Sequence, residues 1–174
     1  MRKKSSITSV VFTIALLVLS GCAQQQKLQS RIPFPQEEYD ALPKTGSARV
    51  TGEAFLKTVG GDIKYAAGNT VYLNPVTSYS KEWFQKQYVQ GIRLVDADPR
   101  IHEYAIQAVA DGQGKFEFIN VPSGKFYLVT HVTWVAATGY KGALQQQGGL
   151  IVKYIYVDGG DNQNIILTKT DGFR

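Results

Sequence analysis

Two hydrophobic rhythms divide the chain. Ile7 to Leu19 is apolar apart from Thr8, Ser9 and Thr13 and carries no charge, whereas from Ala48 onward short runs of β-branched and aromatic residues alternate with Gly, Asn, Asp and Pro. Period-two runs with such punctuation predict strands. They fall near Arg49–Thr58, Thr70–Thr77, Tyr104–Ala110, Lys115–Asn120, Lys125–Ala137, Leu150–Asp158 and Asn162–Thr168, with a short extra strand at Ile63–Ala66. Gly60-Gly61-Asp62, Gly68-Asn69, Asp111-Gly112, Ser123-Gly124 and Asp158-Gly159-Gly160-Asp161 mark the turns, because these residues tolerate the dihedrals that tight reversals need. Seven strands in one domain predict an all-β sandwich, two sheets burying their facing sides.

One stretch breaks the alternation. Between Tyr79 and Gln90 the apolar positions Trp83, Phe84 and Tyr88 recur at helical spacing, with Ser80 in place to cap. This predicts a short helical insertion between two strands.

The N-terminal apolar run, 13 residues from Ile7 to Leu19, is shorter than the roughly 20 that a spanning helix needs. Behind Arg2, Lys3 and Lys4 it reads as the hydrophobic part of an export signal. Leu19-Ser20-Gly21-Cys22 resembles the bacterial lipobox. That resemblance implies cleavage before Cys22 and diacylation of its sulfur, usually with a third chain on the new amine. Each buried methylene contributes about 0.8 kcal/mol, so several chains anchor almost permanently where one is marginal. Cys22 is the sole cysteine, so no intramolecular disulfide competes for it. Ala23, where an Asp would signal inner-membrane retention in enteric-type bacteria, implies an outer-membrane address; a periplasm-facing side is the expectation, though residue 23 does not decide it.

Residues 23–47 are rich in Gln and Pro and show no steady period. They read as a flexible tether that lets the domain stand off the membrane, with local docking of Phe34, Tyr39 and Leu42 as the alternative. The expected division is therefore a signal over 1–21, a lipidated cysteine and tether over 22–47, and a sandwich over 48–170.

Charge adds little once the signal is set aside. Three of the 19 Lys and Arg lie in it, leaving 16 against 14 Asp and Glu. No basic block survives in the mature part, which argues against a nucleic-acid partner.

The segment Asp111-Gly112-Gln113-Gly114-Lys115-Phe116-Glu117-Phe118, followed by Ile119-Asn120-Val121-Pro122-Ser123-Gly124-Lys125-Phe126-Tyr127-Leu128-Val129, resembles the carboxypeptidase-regulatory-like, or transthyretin-like, domain family. Physically it is a hairpin: Phe116 and Phe118 alternate inward, Pro122 and Gly124 shape the reversal, and Tyr127 and Val129 share a face of the next strand. Ala67-Gly68-Asn69-Thr70-Val71-Tyr72-Leu73 looks like the family's second strand. The resemblance implies a transthyretin-like seven-stranded sandwich over Ala48 to Thr168. It carries no catalytic residues, since these domains serve as accessory, adhesive and assembly modules.

Candidate chemistry is sparse. There is no Gly-x-Ser-x-Gly elbow. His102 and His131 stand 29 positions apart, a spacing that specifies no zinc site. Asp96, Asp98 and Asp111 lack the ordered oxygen ligands of a calcium loop. No metal or other cofactor is expected. The aromatic set Tyr79, Trp83, Phe84 and Tyr88 stands out instead, as a lid on the core or as a platform for a partner or sugar. Trp134 is expected in the core. These readings lead to a non-catalytic, lipid-anchored envelope module that works through protein–protein contacts, with a carbohydrate-binding accessory module as the alternative.

Overall fold

The computed structural model describes residues 27–138 and 142–169; the signal and Cys22 lie outside the described residues. Eight strands form two four-stranded sheets, the extra strand included. In the first sheet, β1 (Ala48–Lys57) pairs antiparallel with β5 (Lys115–Val121), with Val50 opposite Phe118 and Gly52 opposite Phe116. On the same strand β8 (Asn162–Leu167) runs parallel, and β2 (Ile63–Tyr65) closes a hairpin on its far end. Gly52 permits this close seam: a Cβ there would lie 2.1 Å from the Ile165 carbonyl oxygen.

The second sheet has the order β4-β3-β6-β7, built from β3 (Thr70–Pro75), β4 (Ile106–Val109), β6 (Gly124–Thr138) and β7 (Ala143–Val157), all antiparallel. Val50, Phe116, Phe118 and Leu167 from one sheet meet Leu73, Phe126, Leu128 and Ile151 from the other in a single buried core. The all-β sandwich expected from the alternation is the observed architecture.

The Asp-x-x-Gly turn before β5 has a local cause. Asp111 Oδ1 accepts hydrogen bonds from the Gln113 and Lys115 amides at 2.8 and 2.9 Å, and Gly114 takes φ +76°. Those amide donors hold the Asp111 carboxyl below its ordinary range, so this carboxylate shapes the turn that carries the chain from β4 in the second sheet to β5 in the first. The hairpin expected over Lys115–Val129 is corrected: β5 pairs with β1, and β6 with β3 and β7, so Pro122 and Gly124 turn the chain across the sandwich from one sheet to the other.

Three further expectations are corrected. β7 starts at Ala143, seven residues before the expected Leu150, because its polar start Gln145-Gln146-Gln147 pairs with Ala136, Val135 and Trp134 of β6. The helical insertion starts earlier too. α2 (Ser78–Glu82) is capped by Thr77, not Ser80: Thr77 Oγ1 accepts from the Ser80 amide while Ser80 Oγ accepts from the Thr77 amide, a reciprocal capping box. It continues as a π-helix over Trp83–Val89.

The third correction concerns the tether. From Gln29 onward it is a docked strap. The Gln29 amide donates to the Arg93 carbonyl, the Val95 amide donates back to Gln29, and the Ile32 amide donates to Glu82. The strap then forms the short helix α1 (Gln36–Asp40). Phe34 stacks on Tyr39 at 4.6 Å and meets Tyr79 edge-on at 5.6 Å. Burying these rings offsets the entropy of ordering a Gln- and Pro-rich segment.

Carboxylates pin the strap. The Ser78 amide holds Glu38 low, and Arg100 holds Asp98 at about 2 while also donating to Gln36 on α1. Both groups titrate below their ordinary values of 4.5 and 3.8. Their contribution is therefore complete above those values and is lost as pH falls through the lowered ones. Limited proteolysis should cut residues 27–47 at a constant rate down to pH 4.5 and then faster as pH falls toward 2, before the strands lose amide protection. An acid-independent cleavage rate would contradict this pinning.

Candidate binding site

The outer face of the second sheet, away from the core, carries the aromatic residues that the sequence singles out and several that it does not. Along β6 both faces are covered. Phe126 and Leu128 point into the core, while Tyr127 and Val129 are buried on the opposite side. What covers Tyr127 is the insertion. Phe84 stacks on Tyr127 with centroids 4.8 Å apart and planes 15° off parallel, and Trp83 meets the same ring edge-on at 6.2 Å.

The π-turn explains why three rings can converge. Its i→i+5 bonding, seen in the Gln90 amide donating to the Gln85 carbonyl, widens the turn. Tyr88 then reaches both Trp83, five residues back, and Phe84, four back, at 6.3 and 5.5 Å. Such π-turns inside helices recur at functional sites. Burial raises the Tyr127 phenol above its ordinary value, with nearby Tyr154 adding to the effect, so it stays neutral.

From Tyr127 the shelf extends outward across the register. Tyr154 lies opposite it on β7 and meets it edge-on at 6.0 Å, and Tyr156 follows on the same face opposite Lys125. These two tyrosines are 50% and 55% exposed. Tyr156 leads into a cleft of about 590 Å³ that also presents Lys44, Glu103, Tyr104, Ser123 and Lys125. That volume lies within the roughly 300–1,000 Å³ typical of small-molecule sites.

A broader concavity of about 720 Å³ occupies the outer face of the first sheet, lined by Thr51, Glu53, Lys115, Glu117 and Asn164. Its single ring, Phe116, belongs to the core, so it offers no stacking surface.

The four sequence-selected aromatics divide. Trp83, Phe84 and Tyr88 come together, each half-buried. Tyr79 does not join an exposed platform: it is buried under the strap, with Arg31 over its ring and its hydroxyl accepting the Asp98 amide at 2.9 Å. Tyr127, Tyr154 and Tyr156 were not selected from sequence. The available signal was tyrosine at alternate positions, 154 and 156, within one strand. Trp134 is partly buried against the core. His102 and His131 are exposed on separate elements, α3 (Ile101–Tyr104) and β6. Among the described residues no three His, Cys, Asp or Glu side chains converge as a metal site would require.

Fold and site together define a β-sandwich with an aromatic outer face opening into a mixed-charge cleft. Among solved structures, this chain is similar to a Pseudomonas aeruginosa protein described as a "putative carbohydrate binding protein". The likeness has a TM-score of 0.70 and 28% sequence identity, covering 80% of this chain and 99% of the other. No protein-family model and no curated protein sequence matches the chain.

Proposed function

We propose that this chain is a non-catalytic, lipid-anchored module of the bacterial envelope that binds carbohydrate on the aromatic shelf and in the cleft beside it. The observation that carries this reading is the pair Tyr154 and Tyr156, half-exposed on one face and continuous with the rings of the insertion. A pyranose ring has an apolar C–H face and a rim of hydroxyls. Rigid aromatic faces suit the first, and convergent polar groups such as Lys44, Glu103, Ser123 and Lys125 suit the second. The description of the similar Pseudomonas structure supports the same ligand class. The lipobox-like Cys22 supports the anchor, and Ala23 supports an outer-membrane address, for which a periplasm-facing side is proposed.

Protein pairing in the envelope is the second reading, favoured by a specific feature. β7 is an edge of its sheet, and its hairpin with β6 exposes Val135 and Leu144, an arrangement suited to strand addition by a partner.

An array of neutral and acidic oligosaccharides, followed by titration of the best binder, separates the two. Tyr154→Ala and Tyr156→Ala should each weaken glycan binding by tenfold to thirtyfold, about 1.4–2 kcal/mol for losing an aromatic anchor, with thermal stability nearly unchanged. Failure of the wild-type protein to bind any sugar, or full binding by both variants, would sink the carbohydrate reading.

A further inference from the structure

We infer that the end of the domain where the strap crosses the insertion is a membrane-contacting face, resting on the anionic phospholipid headgroups of the bilayer that holds the acyl chains. This rests on the proposed anchor at Cys22 and adds a surface that the anchor alone does not require.

Chain length is the first argument. The strap is fastened from Gln29, whose backbone brackets Arg93 and Val95. From Cys22 to Gln29 the chain can extend no more than about 25 Å, and any relaxed conformation is shorter. The end carrying Gln29 is therefore held near the bilayer, and it cannot swing away as a 25-residue tether would allow.

Surface chemistry is the second argument. Leu28, Ile32 and Val95 are exposed at 36–48%, on the strap and on the insertion segment joined to it. Single exposed apolar residues are ordinary on any surface. Leu28, Ile32 and Val95, within a few residues of the anchor's point of entry or bonded to it, form a pattern that a bilayer interface accounts for.

Charge is the third. Lys27, Arg31, Lys86 and Arg93 lie on the same two segments. Within residues 27–32 and 82–96 the acids are Glu82, which is taken up by Lys86 and the Ile32 amide, and Asp96, which is exposed, so Lys27, Arg31 and Arg93 stand against a single free carboxylate. Arg31 is already held toward this end, its Nε donating to the Val95 carbonyl at 2.7 Å. Cations close to an anionic leaflet contribute about 1 kcal/mol each, and apolar side chains between them enter the headgroup boundary.

Among the described residues no helix is long and apolar enough to cross a membrane, so the contact is peripheral. Seated this way, the domain would hold a fixed orientation, with residues 28–32 and 93–95 toward the lipid and the aromatic shelf left open.

The test uses full-length acylated protein in vesicles of phosphatidylethanolamine and phosphatidylglycerol, read by amide hydrogen exchange. Residues 28–32 and 93–95 should exchange severalfold more slowly than in detergent, and the slowing should shrink in vesicles without phosphatidylglycerol. In the double variant Leu28→Glu, Val95→Glu the slowing should vanish while the protein still floats with the vesicles. Should that variant fold poorly, Lys27→Glu with Arg93→Glu, both on exposed side chains, should give the same loss. A floating protein with unslowed exchange, or slowing that survives both variants, would overturn the docking face and leave the anchor standing. Protein that neither floats nor carries an acyl chain would overturn the anchor, and the inference with it.

Discussion

Phe118→Ala is expected to lower the stability of the sandwich by about 3–5 kcal/mol, the usual range for deleting a buried phenyl group. Phe118 is buried on β5, paired across the sheet with Val50 and 5.8 Å from the Phe116 ring. Both sheets press on this position, so the cavity has little room to collapse. A domain of this size is stable by only about 5–15 kcal/mol, so the change removes roughly a fifth or more of its margin. Urea denaturation should show a lower midpoint with an unchanged slope, the mark of altered stability rather than an altered unfolded state. A loss below about 1 kcal/mol would mean that the inward face of β5 is misassigned. Trp83→Ala makes the informative contrast. Its ring is half-buried on Tyr127 and outside the core, so its stability loss should be smaller while ligand capture suffers more. Equal losses would make the insertion a lid and nothing else.

Cys22→Ala is expected to abolish acyl labelling and membrane retention altogether. No other cysteine is available to take the thioether, and the proposed contact through the strap is too weak to retain the protein by itself. Because each acyl chain adds methylenes worth about 0.8 kcal/mol apiece, removing all of them converts near-permanent attachment into weak, reversible contact. Radiolabelled palmitate and membrane fractionation would read this directly. Unchanged fractionation with no change in label would count against the anchor.

The contrast between what was legible and what was not follows from local versus long-range causes. Phe116 and Phe118 announce their strand because one face of β5 meets the core and the other meets water, so the apolar period is two. The run Phe126 to Thr130 loses that period, because the outer face is buried here as well as the inner one, with the insertion lying over Tyr127. Nothing local marks Tyr127 as part of a binding shelf. The start of β7 is concealed differently: Gln145 to Gly149 has poor strand propensity, and its conformation comes from pairing with β6. In the insertion, the spacing of Trp83, Phe84 and Tyr88 conveyed their shared face. The extra residue in the turn, which lets Tyr88 touch both others, depends on packing against Tyr127. The strap was hardest to read. Its hydrogen-bond partners Glu82, Arg93 and Val95 lie 50 or more residues away in sequence, and a Gln- and Pro-rich composition alone cannot distinguish a docked segment from a free one.

The proposal turns on where a sugar sits. Amide and aromatic side-chain shifts recorded while titrating the array's best oligosaccharide would decide it. The account predicts that perturbations concentrate at Tyr154, Tyr156, Phe84, Tyr88 and Lys125, with the outer face of the first sheet around Thr51 and Glu117 silent. Perturbations confined to that other face, or none at saturating sugar, would contradict it.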